Sequence, residues 1–331
     1  MSALADRFGR RHTYLRLGLT ERCNLRCVYC MPAHGVPLAA KRDQLSTDEL
    51  VRVTRLMVGN GVDKVRLTGG EPLVRKDALE VARQVGRFDL RSLAITTNGL
   101  LLEDRLADLE DAGLTDLTVS LDTLRPERFE AVTRRAGLPV VLSALEDAMR
   151  RGYGRGGRAL KVNVVALKNA NEDEVVDFAR WAASEPLEVR FIEVMPFAGN
   201  GWDRADLVPM AETRARIEDS LGPLSALDDG PHATAQTFAQ PGWRGRVGFV
   251  ASMTAPFCAG CNRLRVTADG GLQVCLFGGS PVSLRDAMRA GASDLEVVSL
   301  VRRALEGKHA AHAGMDALAK APPRPMVAIG G

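Results

Sequence analysis

The stretch TYLRLGLTERCNLRCVYC (residues 13–30) decides the fold, and it holds three of the chain's six cysteines. Its first eight residues alternate between apolar and polar or small side chains, which predicts a strand that leads directly to Cys23. Cys27 and Cys30 follow with the spacing C-x3-C-x2-C, so one tight loop can turn three thiolates toward a single metal centre. Iron–sulfur clusters and structural zinc normally take four ligands. Three thiolates therefore leave one coordination position open, where a substrate can bind.

A second triad of cysteines lies more than two hundred residues further along the chain. Cys258 and Cys261 stand in APFCAGCNRLRV, and Cys275 follows in GGLQVCLFGG, which gives the spacing C-x2-C-x13-C. The alternative for each triad is a structural zinc ion with a remote fourth ligand, and His232 is the candidate for the second triad. Two triads in one chain favour two clusters, each with one iron open to a ligand.

Short apolar or β-branched runs alternate with helical patterns from the first triad onward. The first helix pattern opens with the capping box formed by Ser46 and Glu49. Each predicted strand is followed by such a helix, except the last, which closes the series. The predicted strands are residues 13–20, 64–70, 92–99, 116–122, 160–167 and 187–194.

Six strand-and-helix units predict a parallel sheet with helices outside it. Because the crossovers of such units are right-handed, the sheet curls one way, into a barrel or part of one. A complete barrel needs eight units, so six units predict a partial barrel. An open, doubly wound sheet is the competing prediction. We therefore expect an α/β fold, a partial (β/α)6 TIM-like barrel.

The pattern changes after residue 222, where Gly, Pro and small residues become frequent. The run RLRVTADGGLQVCLF (residues 263–277) predicts a hairpin that turns at Asp269-Gly270-Gly271. A capping box from Ser293 to Glu296 predicts a later helix. The expected organisation is the barrel over residues 1–222, a C-terminal α+β extension with the second cluster over 223–320, and a flexible Gly-Gly tail over 321–331.

Composition excludes several classes of protein. Six clustered cysteines in 331 residues are not typical of a secreted disulfide scaffold. A net charge of +3 is too small to indicate electrostatic binding of nucleic acid by the whole protein. The N-terminal Arg10-Arg11 pair is not followed by the apolar segment of a signal peptide. No apolar run reaches the length of a membrane span. We expect a cytoplasmic protein without membrane or nucleic-acid partners.

The motif CNLRCVYC (residues 23–30), at the end of the first strand of an α/β barrel, resembles the signature of the radical S-adenosylmethionine (SAM) enzymes. LTGGEP (residues 67–72), at the end of the second strand, resembles that family's GGEP motif. The resemblance implies a [4Fe–4S] cluster on the first triad, with SAM chelated to its open iron. It implies five SAM contacts: Tyr29 against adenine, Gly70 close to the methionine moiety, Glu71 accepting from its ammonium group, and Ser120 and Met195 at later strand ends.

With the second triad added, nearly the whole chain is similar to the GTP 3′,8-cyclase family, whose members begin molybdenum cofactor biosynthesis. The resemblance implies a second [4Fe–4S] cluster on Cys258, Cys261 and Cys275, with the guanine of GTP at its open iron. It implies that a 5′-deoxyadenosyl radical takes the ribose 3′-hydrogen and that C3′ then attacks guanine C8, which yields (8S)-3′,8-cyclo-7,8-dihydroguanosine 5′-triphosphate. No side-chain acid or base is expected, since none of the five histidines lies in a motif.

A triphosphate brings about four negative charges, which require several fixed cations. The chain has no G-x4-G-K-[ST] loop, so scattered strand residues must supply them. Arg16 and Arg66 lie within predicted buried strands, where charged residues are unusual. They must line the barrel interior or stand at strand ends. The resemblance implies GTP contacts from Arg16, Arg66, Thr96, Lys161, Arg263, Leu264 and Arg265.

The tail MVAIGG ends in the Gly330-Gly331 pair that is typical of the cyclase family. We hypothesise that both glycines reach into the barrel and contribute to turnover. The resemblance also implies a reducing electron donor, a downstream cyclic pyranopterin monophosphate synthase and a homodimer. Two alternatives remain: a twin-cluster radical SAM enzyme that acts on a peptide, and a zinc-stabilised binding module without catalysis.

Overall fold

The computed structural model describes residues 3–279, 282–322 and 324–330. Six strands, β1 to β6, alternate with helices through the first two thirds of the chain. Ser46 and Glu49 form the predicted capping box at the start of the first helix. The elements are β1 Tyr14–Gly18, α1 Thr47–Val58, β2 Lys64–Thr68, α2 Ala78–Gly86, β3 Ser92–Thr97, α3 Leu106–Asp111, β4 Leu114–Ser120, α4 Pro126–Thr133, α5 Leu138–Arg150, β5 Ala159–Ala166, α6 Val175–Ser184 and β6 Glu188–Glu193.

The remaining third of the chain contains short strands and five helices among the described residues. Ser293 and Glu296 form the second predicted capping box. The elements are α7 Met210–Leu221, β7 Ser225–Ala226, β8 Gln236–Ala239, β9 Arg246–Val250, β10 Arg263–Val266, β11 Gly271–Gln273, β12 Val282–Ser283, α8 Leu284–Arg289, α9 Asp294–Glu306, α10 Met315–Lys320 and α11 Met326–Ile329. Short 3-10 helices occupy Lys41–Asp43, Pro72–Val74, Glu103–Arg105 and Arg204–Asp206.

The strands of the described residues form one sheet in the order β12-β11-β10-β1-β2-β3-β4-β5-β6-β9-β8-β7. Strands β1 to β6 lie side by side in chain order, and every neighbouring pair is parallel. A doubly wound sheet instead reverses its strand order at a switch point. The predicted partial barrel is therefore confirmed, and the open doubly wound alternative is wrong.

The C-terminal strands extend this sheet at both edges. Strand β10 lies parallel to β1, with Arg265 opposite Arg16, and β9 lies parallel to β6. Strand β11 pairs antiparallel with β10 across the predicted turn, where Gly270 has a φ of +84°. The hairpin prediction is confirmed. The boundary at residues 222 and 223 stays a prediction, since β9 and β10 continue the sheet of the first part.

Alternation along the strands separates an apolar outer face from a polar inner face. Leu15 and Leu17 of β1 and Val65 and Leu67 of β2 are at most 1 % exposed and belong to the main core beneath the helices. The residues between them face the other side of the sheet. The inner face is thereby left to the polar side chains that build the site.

The C-terminal segment packs against the barrel. Val327 and Ile329 of α11 are buried, and the carbonyl of Gly330 accepts a hydrogen bond of 3.2 Å from Arg265. Gly331 lies outside the described residues. Among the described residues, no helix is long and apolar enough to cross a membrane.

Candidate active site

The inner face of the sheet lines a cavity of about 510 Å³. All six cysteines are free thiols, each partly buried, and all six lie on the wall of this one cavity. Inward-facing strand residues supply much of its other polar lining. These strand residues are Tyr14, Arg16, Lys64, Arg66, Thr96, Thr118, Ser120, Lys161, Asn163, Arg190, Arg263 and Arg265.

Strand direction places the two triads at opposite ends of the parallel sheet. Cys23 to Cys30 follow β1, so they lie beyond the carboxyl ends of the parallel strands. Cys258 and Cys261 precede β10, at the amino ends. Because β11 runs antiparallel to β10, Cys275 just after β11 returns to the same amino ends. The cavity therefore extends from one triad to the other.

The thiols of the first triad are in a desolvated environment. Burial raises the pKa of Cys23, and burial with the neighbouring Cys23 and Asp122 raises that of Cys30 to about 12. Cys23 Sγ accepts a hydrogen bond of 3.4 Å from the Leu25 N–H. Thiolates in such an environment need a nearby positive charge to stabilise them. A metal cluster supplies that charge, and its cysteine ligands are then deprotonated. The triad thus suits an iron–sulfur cluster.

The zinc alternative requires ligands that converge on one ion. Within residues 3–279, 282–322 and 324–330, no three Cys, His, Asp or Glu side chains are grouped tightly enough to hold a single metal ion. His232, the proposed fourth ligand, instead places Nδ1 3.0 Å from the Gly260 carbonyl oxygen.

The GGEP turn positions the cysteine loop. A Cβ at Gly70 would lie 2.5 Å from the carbonyl oxygen of Arg22 and 2.7 Å from that of Glu21. The Gly70 N–H donates to the Thr20 carbonyl at 2.8 Å, and the Glu71 N–H donates to that of Arg22 at 2.8 Å. The glycine at position 70 is therefore required by the backbone of the cysteine loop, not only by a ligand as the sequence suggested.

Glu71 is the predicted SAM contact that the structure places away from the cavity. It is fully buried and absent from the cavity lining. Its carboxylate accepts hydrogen bonds from the N–H groups of Leu73 and Asn98 and from the Thr97 hydroxyl, at 2.7 to 3.0 Å. Burial raises its pKa to about 7, although those donors oppose the rise. In this structure Glu71 secures the turn instead of presenting its carboxylate to a ligand.

The other predicted SAM contacts share the cavity wall with the first triad. Tyr29, Gly70, Ser120 and Met195 all line it. The Tyr29 hydroxyl donates a hydrogen bond of 2.8 Å to Asp122, which is buried and also lines the cavity. Burial raises the pKa of Asp122 to about 6. This contact fixes the ring of Tyr29 beside Cys30.

A buried carboxylate joins three cations from two strands, β2 and β5. Asp116 of β4 places one oxygen 2.5 Å from Lys64 Nζ, 2.9 Å from an Arg66 nitrogen and 2.8 Å from Lys161 Nζ. The intervening strand β3 carries Ala94 between Arg66 and Asp116, and this small side chain leaves room for the contact across it. Burial disfavours the charged carboxyl, but the three cations hold the pKa of Asp116 well below its usual range.

A second group of cations has no acidic partner. In the part of the chain that the structure describes, no carboxylate lies within 4.0 Å of Arg16, Arg263 or Arg265. Arg16 Nε is buried and makes no hydrogen bond there, and Arg265 donates to the Gly330 carbonyl. Three guanidinium groups without a carboxylate partner on one wall are suited to a polyanionic ligand.

The cavity wall includes residues that the motifs did not reveal. Lys64 and Arg190 add two cations, Tyr14 adds a phenol, and the buried Asn163 Oδ1 lacks a hydrogen-bond partner among the described residues. Lys64 was detectable, because it stands two residues before Arg66 on the same strand face. Two predicted contacts, Leu264 and Gly330, are not in the lining: Leu264 faces the core, and Gly330 meets Arg265. Gly331 is outside the described residues.

Three histidines also line the cavity, although the sequence suggested a role for His232 alone, as a zinc ligand. They are His232, His309 and His312. His312 places Nε2 3.2 Å from the Ser252 carbonyl oxygen, and its Nδ1 accepts from the Gly314 N–H at 3.1 Å. Both ring nitrogens of His312 thus have hydrogen-bond partners within the protein.

Comparison with known proteins identifies the family. The radical SAM superfamily model matches residues 17–182, and the family model Molybdenum Cofactor Synthesis C matches residues 187–314. The chain is 49% identical over 329 residues to the mitochondrial GTP 3′,8-cyclase of Arabidopsis thaliana, covering 99% of this chain and 83% of that one. It is 41% identical over 336 residues to the GTP 3′,8-cyclase of Rhodopirellula baltica, covering 99% and 92%.

The chain belongs to the GTP 3′,8-cyclase family.

Animal relatives of this family are longer proteins. The chain is 47% identical over 327 residues to molybdenum cofactor biosynthesis protein 1 of Bos taurus, and it spans 51% of that protein. Among solved structures, Streptococcus suis SuiB bound to S-adenosylmethionine has a TM-score of 0.59 at 13% identity, over 82% of this chain and 62% of SuiB. That likeness establishes the radical SAM fold of the cyclase chain.

Membership of the radical SAM superfamily assigns SAM and a [4Fe–4S] cluster as cofactors. The residues present fit both groups: three free thiols on one loop, a glycine turn packed against that loop, and an aromatic ring held beside Cys30. The resemblance read from CNLRCVYC and the GGEP motif is thereby confirmed at the level of the family.

Tyr14 provides a test of the electrostatics of this cyclase cavity. Its hydroxyl accepts a hydrogen bond of 2.6 Å from Arg66 Nε and lies 3.5 Å from an Arg16 nitrogen. Burial raises the pKa of Tyr14, but Arg66, Arg16 and Lys64 lower it to about 7, whereas burial raises the pKa of Tyr29 and Tyr153. Since the chain has three tyrosines, Tyr14 alone should ionise near neutral pH.

We expect a tyrosinate absorbance change near pH 7 that Tyr14→Phe removes. The folded chain releases this proton before the unfolded chain does, so the folded state gains stability as pH rises from about 7 to about 10. The difference in unfolding free energy between the wild type and Tyr14→Phe should grow over that window. An unchanged ultraviolet titration in the variant would show that the three cations do not act on Tyr14.

Proposed function

We propose that this chain is a radical SAM enzyme that converts GTP to (8S)-3′,8-cyclo-7,8-dihydroguanosine 5′-triphosphate, the first step of molybdopterin biosynthesis. One observation carries the proposal: two cysteine triads and a set of unpaired arginines line the same cavity. Relatives named GTP 3′,8-cyclase at 41–49% identity support it.

The carboxyl end of the sheet would hold the first cluster and SAM. Cys23, Cys27 and Cys30 would bind the cluster, and Tyr29, fixed by Asp122, would pack against adenine. When bound, these cofactors supply the radical that removes the ribose 3′-hydrogen of GTP. The protein contributes positioning and exclusion of water, because a misplaced radical would react with solvent or side chains. Gly70, Ser120 and Met195 complete the proposed SAM contacts.

The amino end of the sheet would hold a second [4Fe–4S] cluster on Cys258, Cys261 and Cys275, with the guanine of GTP at its open iron. Arg263 and Lys308 support ionisation there: burial opposes it, but these cations lower the pKa of the Cys261 thiol to about 6. The two triads at opposite ends of one cavity would hold the guanine and the SAM apart, with the ribose between them.

The triphosphate would lie along the cations of the inner face. Arg16, Arg263 and Arg265 have no acidic partner in the described part of the chain, so they are free to bind phosphate oxygens directly. Lys64, Arg66 and Lys161 already form ion pairs with Asp116. They would therefore attract the triphosphate by their positive electrostatic potential instead of forming new ion pairs with it. Thr96, which lines the cavity, completes the proposed GTP contacts, whereas Leu264 faces the core and is no longer proposed as one.

The C-terminal tail would close the cavity on the side of β10. Met326 and Val327 line the cavity, and Arg265 donates to the Gly330 carbonyl. A Cβ at Gly330 would lie 2.7 Å from the Thr68 hydroxyl oxygen, and its φ of +74° favours glycine. The tail would thus hold one phosphate-binding guanidinium in place.

We expect deletion of Gly330 and Gly331 to reduce GTP cyclisation while iron content stays unchanged, because the deletion frees Arg265 but touches neither triad. Product formation and bound iron would be measured on the same preparations. A Lys320→Ala variant, altered at an exposed position, is the control. Full cyclisation by the truncated chain would refute the role of the tail.

The proposal extends to the partners of the reaction. A one-electron donor must reduce the first cluster, and a cyclic pyranopterin monophosphate synthase would consume the unstable product. A homodimer is proposed from the family resemblance alone.

The experiment is an anaerobic product assay by mass spectrometry with reconstituted protein, SAM, a strong reductant and GTP. The proposal predicts 5′-deoxyadenosine together with a GTP isomer of unchanged mass that acid converts to a pterin. If SAM is cleaved but GTP neither reacts nor stimulates cleavage, the substrate is wrong and a peptide-modifying radical SAM enzyme becomes the better account.

A further inference from the structure

Lys308 is a buried lysine beside the second triad. It lies two residues beyond α9 and is 3 % exposed. Its Nζ lies 2.9 Å from His12 Nε2, 3.4 Å from Cys261 Sγ and 3.5 Å from the Arg263 carbonyl oxygen. All three contacts come from segments distant in sequence. The tertiary fold therefore brings this ammonium group to Cys261.

The ammonium group lacks a carboxylate partner. Over the described residues, no Asp or Glu oxygen lies within 4.0 Å of Lys308 Nζ. Asp6, the nearby acid, is instead paired with Arg10 at 2.6 Å. An isolated buried cation is costly, so it persists only where a counter-charge is supplied. Two of its three contacts, a neutral imidazole nitrogen and a carbonyl oxygen, carry no full negative charge, which leaves the sulfur of Cys261.

His12 orients the ammonium group toward that sulfur. Its ring is 1 % exposed, and its Nε2 must accept from Lys308, since an ammonium group only donates. The backbone around His12 is fixed in turn: its N–H donates 2.7 Å to the Leu4 carbonyl. Arg10 ties the same N-terminal segment to the second triad by donating to the Cys258 carbonyl at 2.8 Å.

We propose that Lys308 is a positioning residue for the second cluster: it donates an N–H···S hydrogen bond to Cys261 and supplies the counter-charge that makes the cluster easier to reduce. This inference rests on the proposed function, which places a cluster on that triad. Hydrogen bonds to cluster sulfurs and nearby charge set reduction potentials, and partners of metal ligands control metal affinity. The guanine would then meet an iron whose electron density Lys308 adjusts.

The first test isolates the second cluster. In a background with Cys23→Ser, Cys27→Ser and Cys30→Ser, bound iron and its spectra report the second triad alone. Lys308→Met removes the charge and the donor at similar volume, Lys308→Arg retains both, and Lys320→Met is the matched exposed control. We expect Lys308→Met to shift the reduction potential to more negative values, while Lys308→Arg and Lys320→Met stay close to the parent.

Two results would overturn the inference, and they are distinguishable. A parent that binds no iron would show that the second triad holds no cluster, and both the proposed function and this inference would fall. A cluster with the same potential in the parent and in Lys308→Met would overturn this inference alone.

The second test separates a positioning role from a structural one. In the cluster-free full chain, Lys308→Met should cost less unfolding free energy than in the reconstituted chain, because the cluster that the ammonium group stabilises is not there. In the reconstituted chain the same variant should lose iron faster than the parent. Equal destabilisation in both forms would mean that Lys308 only supports the fold.

Discussion

Asp116→Asn should remove more stability than any other single change of charge in this cavity. The variant leaves Lys64, Arg66 and Lys161 close together without the negative charge that all three now share. Breaking a buried ion pair by removing one partner typically costs about 3–5 kcal/mol. We expect a loss of that size in the free energy of unfolding, measured by denaturant titration.

Asp108→Asn is the matched control for this prediction. Asp108 accepts from Arg83 at 2.7 Å, but both side chains are more than two fifths exposed, so its loss should cost about 0–1 kcal/mol. Tripolyphosphate or GTP should restore part of the stability of Asp116→Asn, because a bound polyanion replaces the missing counter-charge. Equal stabilities of the two variants would show that Asp116 does not balance the three cations.

Gly70→Ala should abolish the function of the first cluster while leaving the second intact. The new Cβ would meet the carbonyl oxygens of Arg22 and Glu21, and backbone atoms cannot move aside as a flexible side chain can. The cysteine loop that begins at Cys23 must therefore shift. Because a misplacement of 1 Å can cost about 100-fold in rate, we expect SAM cleavage to fall by at least about 100-fold.

Iron analysis distinguishes this effect from general unfolding. Gly70→Ala should bind about half the iron of the parent, since only the first triad is displaced, whereas Gly230→Ala should bind the full amount. Gly230 is the control because a Cβ there meets no atom within 4 Å and its φ is not positive. Parental iron content and SAM cleavage in Gly70→Ala would contradict the proposed constraint on the cysteine loop.

The architecture could be predicted from the sequence because the patterns that indicate it are local. Strand alternation, the capping boxes at Ser46 and Ser293, and the Asp269-Gly270-Gly271 turn each depend on residues a few positions apart. The order of the six strands then followed from the handedness of their connections. Two cysteine spacings and the GGEP motif were specific enough to indicate the family.

The rest of the site depends on contacts across the fold. Asp116 is one polar residue in a strand, and its role requires Ala94 on the neighbouring strand to leave space for Arg66. Lys308 and His12 are 296 positions apart and meet only after α9 packs against α1 and α8. Glu71 was expected to face SAM, but the Leu73 N–H in its own turn and two donors at the end of β3, from Thr97 and Asn98, draw its carboxylate inward. Spacing along a chain carries no information on such contacts.

The measurement that tests the central claim most directly is hydrogen transfer between the two proposed ligands of the cavity. Protein reconstituted under anaerobic conditions would receive SAM, reductant and GTP carrying deuterium at the ribose 3′ position. Our account places SAM and GTP in one cavity between the two triads, so it predicts 5′-deoxyadenosine that contains one deuterium atom from GTP. If SAM is cleaved but its 5′-deoxyadenosine contains no deuterium, the ribose does not meet the radical in this cavity, and the proposed active site is wrong.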